Sequence, residues 1–264
     1  NGTGSGSFTN AGTVNSSALG THAFGSSVAF TNTGTVNVTN GQLDIQSAGT
    51  DTGIYTVASG AVLESSGSRL FASGSSLTGA GTLMVSAGTN TVLGSYGLSG
   101  TLQVTGGTLN MQQTSGTISG ASVATGTLNL LTGSLVSLPT LTLTSGVLGG
   151  TDDVTIAGEF VWSGGTITGA GAFITNSHTT FATAPNKTLA SRTWTNSGTV
   201  DLALGGLVLS QGATFHNAPT AVVNITTTSG TPVTTGTGTG TIVNEGTLNQ
   251  QAAAVKSFTA NVTL

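Results

Sequence analysis

The sequence predicts an all-β chain wound as a right-handed parallel β-helix, a β-solenoid of about 13 coils of roughly 20 residues each. Three observations predict it. Charged residues make up only 5% of the 264 residues, while Gly supplies 42 of them. A short phrase, Gly-Thr followed by alternating aliphatic residues, keeps returning along the chain. Its returns cluster near one spacing.

Composition sets the class. Ordinary globular chains carry about 25% charged residues, so this one is depleted several-fold. A disordered Gly/Ser/Thr linker would share that depletion, but it would lack the 36% hydrophobic content found here. The apolar residues are mainly Val, Leu, Ile and Ala, and frequent Gly interrupts any helix. Thr and Val suit a pleated, half-buried surface. A net charge of −4 without a basic patch argues against nucleic acid as a partner. No apolar run reaches the 18 or so residues of a membrane-spanning helix. Without Cys there is no disulfide to staple the chain, so stacking must supply its stability.

Each strand follows from the recurring phrase. Gly34-Thr35-Val36-Asn37-Val38 is the first clear instance, followed by Gly81-Thr82-Leu83-Met84-Val85, Gly100-Thr101-Leu102-Gln103-Val104 and Gly107-Thr108-Leu109-Asn110-Met111. Gly126-Thr127-Leu128-Asn129-Leu130 and Gly198-Thr199-Val200-Asp201-Leu202 continue the series. Each joins a turn residue to a period-2 alternation, the pattern of a short strand with one face inward. The step is 19 from Gly81 to Gly100, 19 from Gly107 to Gly126, 20 from Gly126 to Gly146 and 22 from Gly12 to Gly34. That length fits one coil of three short strands and their turns. Val36, Val38, Leu83, Val85, Leu102, Val104, Leu128 and Leu130 are then expected inside, in aliphatic columns. Outward Thr, Ser, Asn and Gln are expected in neutral ladders, because like charges stacked at the strand spacing of about 4.8 Å repel.

A longer period lies over the first. Residues 1–30 align with 235–264 at a constant offset of 234, with eleven of thirty positions identical, among them Asn10/Asn244, Gly12/Gly246, Asn15/Asn249 and Phe24/Phe258. Phe8/Ile242, Val14/Leu248 and Phe30/Leu264 are conservative. Residues 1–264 thus read as a single continuous β-solenoid holding one 234-residue module, 1–234, plus the start of the next, 235–264. A start without Met or signal peptide, and an end inside a strand pattern, read as an excerpt of a longer precursor or a processed unit.

Two runs, Gly158-Glu159-Phe160-Val161-Trp162-Ser163-Gly164-Gly165-Thr166-Ile167-Thr168-Gly169-Ala170-Gly171 and Leu189 through Val200, resemble phrases of giant secreted bacterial repeat proteins, as does Phe30-Thr31-Asn32-Thr33-Gly34-Thr35-Val36. The likeness is to their β-helical surface repeats and, more loosely, to autotransporter or haemagglutinin-like passengers. It implies an extracellular, cell-surface, structural or adhesive role and brings no catalytic residues.

Parallel β-helices also carry polysaccharide-degrading enzymes, so carboxylate pairs matter. The acids are Asp44, Asp51, Glu64, Asp152, Asp153, Glu159, Asp201 and Glu245. Only Asp152, Asp153 and Glu159 are neighbours in sequence, near Trp162, whose ring could stack on a sugar. Adjacent Asp residues on a strand face opposite ways, so a turn or solvated edge is the favoured reading. Gly149-Gly150-Thr151-Asp152-Asp153 weakly matches a Ca²⁺-binding β-roll phrase but occurs once, without stacked partners. His22, His178 and His216 lack metal-ligand spacing and read as surface or turn residues. Lys187 and Arg192, beyond Pro185, read as a local surface pair. Sequons at Asn1, Asn15, Asn37, Asn186, Asn224 and Asn261 allow surface glycans in a Thr-rich chain. No catalytic, cofactor or metal residue is therefore assigned, and no cofactor is expected. The expected function is structural and non-enzymatic: a segment of an extracellular filament whose coils stack end to end. Its partners are further copies, joined head to tail or covalently in tandem. A stalk of a giant adhesin, and a glycan-binding or polysaccharide-degrading β-helix, are the alternatives.

Overall fold

A computed structural model describes residues 4–253 and 255–263. Asn1, Gly2, Thr3 and Leu264, which carry one sequon, two repeat identities and the Phe30/Leu264 match, lie outside them. Among the described residues every regular element is a β-strand, and the strands pair in parallel to form a β-solenoid. The chain divides into two compact units, Asn1–Ser122 with Gly126–Thr132, and Val123–Thr125 with Gly133–Leu264.

In the first unit each coil contributes three short strands, one to each of three faces. Thr13–Ser16, Thr35–Val38, Ile54–Val57, Ser76–Gly79, Ser95–Leu98 and Ser115–Gly116 stack on one face. Thr21–Phe24, Gln42–Ile45, Val62–Ser65, Thr82–Val85 and Leu102–Val104 form the second. Gly49–Asp51, Arg69–Phe71, Thr89–Val92, Thr108–Met111 and Thr127–Leu130 form the third, and Gly6–Asn10 pairs with Val28–Asn32. The second unit repeats the plan. Val136–Leu138, Val154–Ile156, Phe173–Thr175, Thr193–Asn196, Ala213–Asn217 and Gly240–Asn244 stack on one face, with Leu141–Leu143 through Thr247–Gln250 on a second and Val147–Gly150 through Val233–Thr235 on a third.

The turns number about 11, not 13, because coil length is not fixed near 20. Val136 pairs with Val154 after 18 residues, but Ala213 pairs with Gly240 only after 27. The wide coils lie where Thr, Ser and Gly collect, at 226–232 and 236–239, and such polar segments form loops outside the ladder without disturbing it.

The alternation read from sequence holds. Val36, Val38, Leu83, Val85, Leu102, Val104, Leu128 and Leu130 are all fully buried. In the second unit the columns turn aromatic. Trp162 meets Phe160, Phe181 and Trp194, and Trp194 meets Phe215, at centroid distances of 4.6–5.7 Å. Such pairs add about 0.5–1.5 kcal/mol each beyond burial. Close approach of coils falls to Gly at the corners. A Cβ on Gly34 would strike the Gly12 carbonyl, and one on Gly100 the Gly81 carbonyl, each inside 3.0 Å.

Candidate functional site

The chain has four cationic side chains, and each is turned onto backbone carbonyls. Arg69 and Asp51 form an ion pair with both side chains wholly buried, Nη2 lying 2.6 Å from the carboxylate. The same guanidinium donates to Ser47 O at 3.0 Å and Phe30 O at 3.2 Å, 22 and 39 residues back along the chain. Arg192 is also buried and donates to the carbonyls of Gly171 and Asp152, 21 and 40 residues back. Lys187 Nζ donates to the carbonyls of Thr183, Pro185 and Leu204. Lys256 Nζ donates to Thr227 O and Ser229 O, both at 2.7 Å. Lys187 and Arg192 are therefore not the surface pair expected from sequence. Corner carbonyls point past the strand ladders and need donors, and a long cationic side chain reaches several at once. Burial pushes the Lys187 amine down to about 8.

A second polar system runs through the interior. Asn196 Nδ2 donates to Asn217 Oδ1 at 2.9 Å, and Asn217 Nδ2 to Asn244 Oδ1 at 2.8 Å. In the first unit Asn10 Nδ2 donates to Asn32 Oδ1 at 2.8 Å. Each Nδ2 also reaches a carbonyl at the following corner: Val222 O, Thr247 O and Thr35 O respectively. Sequence reasoning made the interior purely aliphatic and missed this ladder. The signal was present: each of these Asn residues stands two places after an inward-facing Phe, Trp or Ile, so alternation turns it inward too.

On the outward side of the second face, buried Asp44 and half-buried Glu64 stand side by side in register on neighbouring strands. Parallel strands place them about 4.8 Å apart, near the separation used by retaining glycosidases. Their oxygens, however, are occupied by neutral donors: Gln46 at 2.8 Å and Ser66 at 2.6 Å on Asp44, Gln42 and Ser86 on Glu64. The arrangement is a hydrogen-bonded ladder that tolerates two adjacent charges. The coil period of 20 residues would have found this pair; searching for sequence neighbours did not.

His178 Nε2 lies 2.7 Å from Asp201 Oδ2, and Asn249, Asn224 and Asp201 continue as an outer ladder at 3.0 and 2.8 Å. Burial alone would raise the Asp201 carboxyl, but the Asn224 amide and His178 ring hold it below its usual value. Thr180 Oγ1 is 3.5 Å from His178 Nδ1. A hydroxyl, an imidazole and a carboxylate in that order suggest nucleophilic chemistry. They lie on a strand surface whose backbone N–H groups are used in pairing, so an oxyanion gains no donors there.

No protein family, curated protein or solved structure matches the chain.

The residues singled out from sequence do not assemble into one site. Trp162 is fully buried with Nε1 donating to Gly164 O at 2.9 Å, so its ring cannot stack on a sugar. Asp152 is buried in a turn and accepts the Gly133 N–H at 2.9 Å, while exposed Asp153 accepts the Ala172 N–H at 2.7 Å. Glu159 is exposed beyond the intervening strand. His22 is exposed and lines a recess with Val14, Phe24 and Leu43. His216 pairs with Glu245 at 2.9 Å. No group of three or more His, Asp or Glu side chains converges among the described residues. Of the sequons, Asn37 donates to Asn15, and Asn224 to Asp201, so those amides serve ladders; Asn186 and Asn261 are exposed.

Proposed function

We propose that this chain is a structural, non-catalytic segment of an extracellular cell-surface filament of bacterial type, built by coils stacking end to end. One observation carries the reading. The strands Gly240–Asn244 and Thr247–Gln250 repeat the bounds of Gly6–Asn10 and Thr13–Ser16 at an offset of 234 residues. The two strands that open a module thus recur after a full module, already stacked on Ala213–Asn217 and Val222–Ile225 of the module before them. Their onward pairing, Ile242 with Val262, is shifted two residues from the Gly6–Val28 register. Interior Asn ladders and buried carbonyl clamps support a load-carrying rather than a catalytic role, because they spend polar and charged groups on joining coils. The recurrence also favours covalent tandem modules, the stalk of a giant adhesin whose binding is done elsewhere. Denatured native material separates the two: a mass near 25.6 kDa supports stacked subunits, and several hundred kDa a tandem chain. Electron micrographs of native material showing isolated short particles of a single-module chain would sink both. Turnover of a glycan, lost on Asp44→Asn or Glu64→Gln, would favour an enzyme instead.

A further inference from the structure

We infer that the coil beginning at Gly6 is the seat for Ala213–Asn217 of a second copy of this sequence, in one register: Ala213 beside Gly6, Thr214 beside Ser7, Phe215 beside Phe8 and Asn217 beside Asn10. The inference rests on the end-to-end reading above and adds the partner and the residue-level fit.

The register is copied from a contact already formed. Ala213–Asn217 pairs with Gly240–Asn244 from Ala213↔Gly240 to Asn217↔Asn244. Residues 240 and 244 correspond to Gly6 and Asn10 at the 234-residue offset. Both glycines of that coil are needed for it. A Cβ on Gly240 would strike Leu209, and one on Gly246 the carbonyls of Ala218 and Ala221, inside 3.0 Å. The corresponding positions in the first coil, 6 and 12, are again Gly, and among the described residues nothing lies within 4 Å of a Cβ built on either.

The Asn ladder gives the contact direction. At Asn10, Asn196 and Asn217 the Nδ2 donates forward, to the Oδ1 of the next coil and to a carbonyl at the corner after it. Asn196 Oδ1 accepts the Gly198 N–H at 3.1 Å and also takes the Thr175 hydroxyl of the coil before it at 3.4 Å. Asn10 Oδ1 accepts the Gly12 N–H at 3.2 Å in the same way. Asn217 Nδ2 therefore meets Asn10 Oδ1 and the Thr13 carbonyl in the proposed joint. Phe215 continues the ring stack that Phe8 makes with Phe24 and Phe30, at 5.2 and 5.8 Å. The His216–Glu245 contact is not carried over, since residue 11 is Ala, nor is the Lys256 clamp on Thr227 O and Ser229 O, since residue 22 is His.

The test joins two copies so that residue 234 of the first is followed by residue 1 of the second. The chain has no Cys, so introduced pairs are read without background. Thr214→Cys in the first copy with Ser7→Cys in the second should close a disulfide as completely as Thr214→Cys with Thr241→Cys in the single chain. Thr214→Cys with Thr9→Cys, about 7 Å out of register on the same face, should stay open. Equal closure at positions 7 and 9 overturns the inference. So does no closure at 7 while the single-chain pair closes, or a tandem that unfolds where the single chain remains folded. None of these outcomes depends on the mass of native material, so the filament reading stands or falls separately.

Discussion

At the scale of single residues, the molecule reverses the usual place of charge. Long cations normally keep their heads in water, and that expectation is why Lys187 and Arg192 read from sequence as surface residues. Their acceptors are corner carbonyls, and a carbonyl leaves no mark in a sequence. Arg69 is the strongest case, since its partner Asp51 is buried with it. Arg69→Met should destabilise the first unit by about 3–5 kcal/mol, because it leaves a carboxylate uncompensated. Adding Asp51→Leu should restore much of that loss; chemical denaturation of the two variants decides it, and an equal loss in both would refute the uncompensated-charge account. In the Asn ladder, Asn217→Ala takes the side-chain donor from Asn244 Oδ1 and Thr247 O, and one acceptor from Asn196 Nδ2, which keeps Gly198 O and Val222 O. With about 1–3 kcal/mol for each unsatisfied group, it should cost more than Asn224→Ala, whose outer ladder can turn to water. Equal midpoints in denaturant would refute that ranking.

At the scale of strands and corners, the coil is governed by what one backbone allows the next to approach. The Gly-Thr phrase was legible because it combines two constraints: Gly where coils touch and alternation where the strand faces the core. Gly97 and Gly100 separate these roles three residues apart. A Cβ on Gly97 would meet only Leu77 O at 3.9 Å, an ordinary contact, whereas on Gly100 it would run into the Gly81 carbonyl. Gly97→Ala is therefore expected to be neutral or slightly stabilising through loss of unfolded-state freedom. Gly100→Ala should lower the thermal midpoint by several degrees; equal midpoints would show that coils can part without cost. What stayed illegible at this scale was coil length. Thr/Ser/Gly loops of 226–232 and 236–239 satisfy the same composition as a strand-turn phrase, so dividing the chain by one mean period overcounted the turns. The acid pair Asp44 and Glu64 was hidden for the opposite reason, since only the period brings residues 20 apart together.

At the scale of the whole molecule, ionisation and surface charge yield two further expectations. The Lys187 amine sits near 8 when folded and at 10.5 when exposed. Between those values the unfolded chain holds more protons, so stability should rise with pH across that window. Tyr55 and Tyr96 act in the other direction. Burial holds both phenols above their ordinary value of 10.0, so the unfolded chain loses these protons first and stability should fall again above about pH 10. The urea midpoint should thus pass through a maximum between pH 8 and 10, and Lys187→Met should abolish the rise and keep the fall. The surface carries a related consequence. Arg69, Lys187 and Arg192 are buried and Lys256 is half-buried, so among the described residues no Lys or Arg is exposed. A protease that cuts after cations needs the side chain in its pocket and several neighbouring residues extended away from their ladders. Arg69 and Arg192 are buried and clamped to carbonyls from other coils, and buried Lys187 is tied to Leu204 O as well as to two local carbonyls. Cleavage there requires coils to open together, whereas Lys256, held by Thr227 O and Ser229 O, is only half-buried. Trypsin should leave the native chain intact except at Lys256, releasing residues 257–264, while the unfolded chain is cut at all four cations. Mass spectra taken through the digestion decide it: early cuts at Arg69 or Arg192 in the native chain would mean that coils open singly, and the clamps would then contribute nothing to holding neighbours together.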